Sequence, residues 1–98
     1  MNSKYENLKT IMDSGMVLII RTDSEDEAKN IAVAAVEGGI KALEITMAVP
    51  NAVNVIAFLA NKYKNENVIV GAGTVLDAET ANAVMLAGAR LLVSPNLN

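Results

Sequence analysis

Neither cysteine nor histidine occurs among the 98 residues. Their absence excludes disulfides, zinc sites built on thiolate or imidazole, and nucleophilic catalysis of the Cys/His or Ser/His kind. Acid–base chemistry in this chain has to come from a carboxylate, a lysine or a tyrosine. Aromatic residues make up only 3% of the chain against a hydrophobic fraction of 52%, so the core must be built from Ala, Val, Ile and Leu. That composition suits parallel strands covered by helices better than an aromatic-rich antiparallel sandwich. Lys and Arg number 8 against 11 Asp and Glu, a net charge of −3. This argues against a nucleic-acid surface, which needs a positive face to neutralise phosphates. No apolar run reaches the length of a membrane span, and the opening MNSKYENLKT lacks the apolar centre of a signal peptide. The expectation is one small domain spanning residues 1–98, cytoplasmic, with no nucleic-acid or membrane partner.

What is present alternates between helix and strand. Ser3 and Glu6 form a capping box for a short helix with Tyr5, Leu8 and Met12 on one face, ended by Gly15. MVLII is a strand that stops at Arg21. Ser24 and Glu27 form a second capping box over an acidic first turn, and Ala28, Ile31, Ala32 and Ala35 then follow the helical period to Gly38-Gly39. IKALEIT is the second strand, and Pro50 suits the first turn of the helix in NAVNVIAFLANKYK. Val53, Ile56, Ala57 and Ala60 form its core stripe. NVIVGAG is the third strand. Asp77 caps a third helix with Ala81, Val84 and Met85 inward, Gly88 ends it, and ARLLVSP is the fourth strand. Short, continuously apolar strands alternating with helices predict an α/β fold with a parallel sheet of right-handed βαβ units. A faint repeat reinforces this: GIKAL at 39–43 resembles GARLL at 88–92.

The polar residues of the strands cluster at one end. Arg21 closes the first, Glu44 and Thr46 close the second, Thr74 follows the third and Ser94 closes the fourth. In parallel α/β folds that end carries ligands and catalytic groups. Glu44 is the most unusual member, since it sits between Leu43 and Ile45 and a carboxylate left in a dry core is costly. GAGT at 71–74 lacks the third glycine of a dinucleotide fingerprint, because Leu76 stands there. Its glycines suit a tight turn or a close approach of backbone to a ligand. The acidic run DSEDE reads as a solvated helical turn rather than a metal loop.

Taken together, EGGIKALEIT, the following Pro50, VIVGAGTVLDAE and AGARLLVSP resemble the N-terminal half of the 2-keto-3-deoxy-6-phosphogluconate (KDPG) and 4-hydroxy-2-oxoglutarate aldolases. The resemblance implies the first half of a TIM barrel: an N-terminal helix, four parallel strands and three further helices. A flavodoxin-like open sheet is the alternative. It also implies a class I aldolase that releases pyruvate from a 2-keto acid through a lysine Schiff base, with no metal and no other cofactor. Glu44 then matches the family's general acid/base, and Thr74 the threonine that contacts the pyruvate moiety. Arg21 matches a basic residue at the end of the first strand, Thr46 belongs to the same E-x-T motif, and Pro95 and Asn96 lie in the rim after strand four. Ala48 departs from the pattern, since many members carry a carboxylate-binding arginine there.

The family's Schiff-base lysine lies on a later strand. Lys41 begins strand two, at the end opposite Glu44, and Lys4, Lys9, Lys29, Lys62 and Lys64 lie on helical segments or at their ends. The 98 residues alone are therefore expected to be inactive. Two assemblies are expected: a trimer for a full-length member, or a dimer in which two half-barrels close an eight-stranded barrel. The second would be a scaffold without turnover.

Overall fold

The computed structural model describes residues 16–75 and 77–93. The expected N-terminal helix with its Ser3–Glu6 capping box, and the segment holding Ser94, Pro95 and Asn96, lie outside the described residues. The element order is β1 (Leu18–Ile20), α1 (Glu25–Glu37), β2 (Ala42–Thr46), α2 (Ala52–Lys62), β3 (Ile69–Gly73), α3 (Ala78–Ala87) and β4 (Leu91–Val93). All strand pairs are parallel and the sheet order is β1-β2-β3-β4. A flavodoxin-like sheet would place β2 outside β1, so the consecutive order overturns that alternative. Each crossover advances by one strand in the same direction. With right-handed crossovers, that stacks every helix on one face.

Local chemistry accounts for most element ends. The Ser24 hydroxyl accepts the Glu27 N–H at 3.1 Å, and Glu25, Asp26 and Glu27 fill the first turn of α1, where negative charge complements the helix dipole. Asp77 does the same for α3, accepting the Thr80 N–H at 2.7 Å and the Thr80 hydroxyl at 3.1 Å. The repeated glycines share one backbone cause: Gly39 and Gly88 both have positive φ, 105° and 115°, and turn the chain from a helix into the next strand. A left-handed turn of that kind suits glycine because it carries no Cβ. Pro50 departs from expectation. It lies in the turn before α2, and Asn51 in left-handed conformation (φ 56°) occupies the N-cap position. The Asn51 side chain caps nothing; its amide donates instead to Glu25 Oε1 at 3.0 Å.

The core lies between the helices and one face of the sheet. Ile20, Leu43, Ile45, Val70 and Ala72 supply the sheet side, while Ala28, Ala32, Val55, Ile56, Leu59 and Val84 come from the helices. Burying a side chain of Leu or Ile size contributes about 1.5–3 kcal/mol, so Leu43 and Ile45, both essentially sealed, anchor the centre. Five expected inward positions are corrected. Ile31 and Met85 are 42% and 58% exposed, because each lies on the flank of its helix, beyond the stripe that meets the sheet. On α2 the fully enclosed residues are Ala52, Val55, Ile56 and Leu59; Val53, Ala57 and Ala60 are only half-buried. That helix packs between α1 and α3, which broadens its buried face past the expected stripe. No helix among the described residues is long and apolar enough to cross a membrane.

The Asp77 cap makes stability depend on acid. Its hydrogen bonds from the Thr80 backbone and side chain hold the carboxyl below the usual aspartate range. A folded pKa below the unfolded value of about 3.9 adds stability that is present above that value and is lost as pH falls through the folded one. Replacing Asp77 by Ala should lower the thermal midpoint at pH 7. The gap to the parent should narrow in melts below about pH 4.

Candidate functional site

The period of two along a strand divides β2 between two environments. Leu43 and Ile45 enter the helix-covered core, while Ala42, Glu44 and Thr46 face the other side. Parallel register continues this second face across the sheet: Glu44 pairs with Ile19 and Gly71, Thr46 pairs with Gly73, and Gly71 and Gly73 pair with Leu91 and Val93. Ala42 and Ile69 close the face at the strand beginnings. Between them and the buried Thr46 and Gly73 at the strand ends, Glu44 alone of the β2 residues is half-buried. The apolar neighbours of Glu44 in sequence are not its neighbours in space, so no charge is left in the dry core.

The side chain of Glu44 lies over β3. A Cβ built on Gly73 would overlap Glu44 Oε2 and come within 2.9 Å of its Cδ and 3.0 Å of its Cγ. Gly71 is used differently: a Cβ there would meet the Cβ and carbonyl oxygen of Leu91, each at 3.0 Å. The glycines of GAGT therefore admit two crossing side chains, and neither makes the tight turn expected of them. The left-handed residue of that segment is Thr74, with φ 62°. For a β-branched residue this is an outlier costing about 1–3 kcal/mol, and such strain clusters at functional sites.

Four of the five expected site residues thus gather at one rim. Thr46 ends β2, Thr74 follows its register partner Gly73, and Arg21 follows β1 one step past the Ile20–Ile45 pair. Arg21 and Thr74 are exposed. No ion pair joins Arg21 to Glu44. Pro95 lies outside the described residues, and Ala48 sits exposed in the turn after β2. Thr46 is 8% exposed, and its hydroxyl oxygen is buried without a hydrogen-bond partner. Among the described residues no group of three or more acidic side chains could hold a metal ion. The rim presents a half-buried carboxylate, the exposed Thr74 and the exposed Arg21, with the Thr46 hydroxyl sealed at its edge, a set suited to an oxygen-rich organic anion.

The family model for KDPG and KHG aldolase matches residues 8–98. The chain belongs to that family. The 2-dehydro-3-deoxy-phosphogluconate aldolase of Treponema pallidum is 34% identical over 83 residues, 85% of this chain and 39% of its own length. The KHG/KDPG aldolase of Escherichia coli is 36% identical over 90 residues, 91% of this chain and 41% of its own. The Legionella pneumophila KDPG aldolase, solved with pyruvate captured as a covalent carbinolamine, superposes with a TM-score of 0.72 at 33% identity. That match covers 84% of this chain and 39% of the other. The Zymomonas mobilis aldolase with 3-phosphoglycerate gives a TM-score of 0.78 at 30% identity over 98% of this chain and 44% of its own. The chain spans about two fifths of the relatives it matches, and its four strands correspond to half of their barrel.

The unpartnered Thr46 hydroxyl has a measurable consequence. A buried hydroxyl without a partner costs about 1–3 kcal/mol, which a methyl group of the same shape would not. Thr46→Val should therefore raise the urea midpoint of the unliganded protein, by an amount equivalent to about 1 kcal/mol. An unchanged or lower midpoint would show that the hydroxyl is satisfied.

Proposed function

We propose that this chain supplies the N-terminal half of a class I aldolase site for 2-keto acids of the KDPG type, in which Glu44 carries protons. The observation that carries the reading is the half-buried Glu44 carboxylate, held over Gly73 on the sheet face that also holds the unpartnered Thr46 hydroxyl. Family membership supports it, as does the pyruvate adduct in the Legionella relative. In such a reaction a lysine amine adds to the keto carbon, and the carbonyl oxygen must gain a proton before it leaves as water. Cleavage of the carbon–carbon bond then requires a base to take the proton from the hydroxyl that becomes the aldehyde. One carboxylate reaching both oxygens serves both steps, and positioned acid–base groups contribute about 10²–10⁴-fold.

Thr46 and Thr74 offer hydroxyls to the pyruvate moiety, and Arg21 offers the cation for its carboxylate. Arg21 takes on greater weight because position 48 is alanine. The family resemblance adds Pro95 as a substrate-binding residue. The reaction as proposed uses no metal and no other cofactor. We place the nucleophile outside the described residues: Lys29 is on α1, bound to Glu25 at 2.9 Å, Lys41 precedes β2, Lys62 ends α2 and Lys64 follows it. None of these four stands at the strand ends where Glu44 does. We therefore propose that the 98 residues alone do not turn over substrate, and that the active assembly is a cytoplasmic homo-oligomer.

Two measurements test this. Incubation of the 98-residue chain with pyruvate and borohydride, read by intact mass, should give no reduced adduct; a single adduct would locate a competent lysine within these residues. In a complete enzyme carrying this segment, Glu44→Gln should lower kcat by about 10²–10⁴-fold. Unchanged turnover would remove Glu44 from the chemistry.

A further inference from the structure

We propose that Gly73 is a positioning residue for Glu44: its bare α-carbon is what lets the carboxylate lie across β3 at the level of the Thr46 hydroxyl. The inference rests on the reading of Glu44 as the proton-transfer group. Register and contact carry it together. The Cα partner of Glu44 is Gly71, yet its side chain lies against Gly73, the partner of Thr46. It has therefore leaned forward along the sheet, towards the level of the next residue on that face. Gly71 is closed to it because Leu91 occupies the space over that residue. The place over Gly73 is the one that brings the carboxylate towards the strand ends.

Backbone conformation does not explain the glycine. Gly39 and Gly88 are the glycines with positive φ, and Gly73 is not among them, so alanine would fit its backbone. What alanine would not fit is the Glu44 carboxyl group, which its methyl would displace. The Thr46 hydroxyl, on the same sheet face and at the same register level, is buried without a hydrogen-bond partner. A methyl group on residue 73 would move the carboxylate away from that level.

The test compares the 98-residue chain with Gly73→Ala, Glu44→Ala and the double variant. In the parent, nuclear Overhauser contacts should connect the Glu44 γ-protons with the Gly73 α-protons; their absence would overturn the proposal. Gly73→Ala should lower the urea midpoint in the parent, and the loss should shrink by at least half in the Glu44→Ala background. Equal losses in both backgrounds would show that the glycine serves the chain path and not the carboxylate. If Gly73→Ala alone does not fold, the double variant should; failure of both would also overturn the proposal. These readouts do not involve turnover, so they stand apart from the Glu44→Gln experiment.

Discussion

The parallel pairing of β2 with β3 is the constraint on which the rest of the molecule depends. Side chains alternate along each strand, so the pairing decides which residues of the two strands share a face. Leu43 beside Val70 and Ile45 beside Ala72 build the core under the helices. The same register sets Glu44 beside Gly71 and Thr46 beside Gly73 on the opposite face. A slip of one residue would send Glu44 into the helix-covered core and Ile45 out of it. Core and site are thus specified by one set of backbone hydrogen bonds.

Because the strands follow one another in order, α1, α2 and α3 all cover the same face. Among the described residues β1 and β4 are both edges, with Ile19 61% and Val93 37% exposed. Edges of that kind present unpaired backbone groups and invite a neighbouring strand. A chain matching about two fifths of a barrel enzyme accounts for this geometry, since in a closed barrel those edges meet further strands and the Glu44 face becomes interior.

Much of this was legible in the residues. Ser24 and Asp77 announce helix starts because a short oxygen-bearing side chain satisfies a free backbone N–H wherever it occurs. The glycines at 39 and 88 mark helix ends because few other residues accept their backbone angles. Four apolar runs separated by helical periods are enough to argue parallel strands. The candidate site was legible only as a rim of polar residues at the strand ends, among which Glu44 stood out by its apolar neighbours. What was not legible depends on how elements meet. Ile31 and Met85 share the period of their helices but lie on flanks that no neighbour covers. Pro50 stays outside α2 because Asn51, tied to Glu25, takes the cap position. The burden of the left-handed turn after β3 falls on Thr74 and not on the glycines beside it.

The sequence by itself determined the element order, the caps of α1 and α3 and the chemical inventory: no thiol, no imidazole, and a carboxylate placed out of phase with its neighbours. These follow from interactions within a few residues, whose partners are fixed by spacing along the chain. Only the tertiary structure decided what Glu44 touches, why residues 71 and 73 are glycine, and that the Thr46 hydroxyl is buried without a partner. Those properties belong to residues on different strands, 27 positions apart in the chain for each β2–β3 pair. Contacts at that range exist only once strand order and register are set, and no local pattern encodes a distance between two strands.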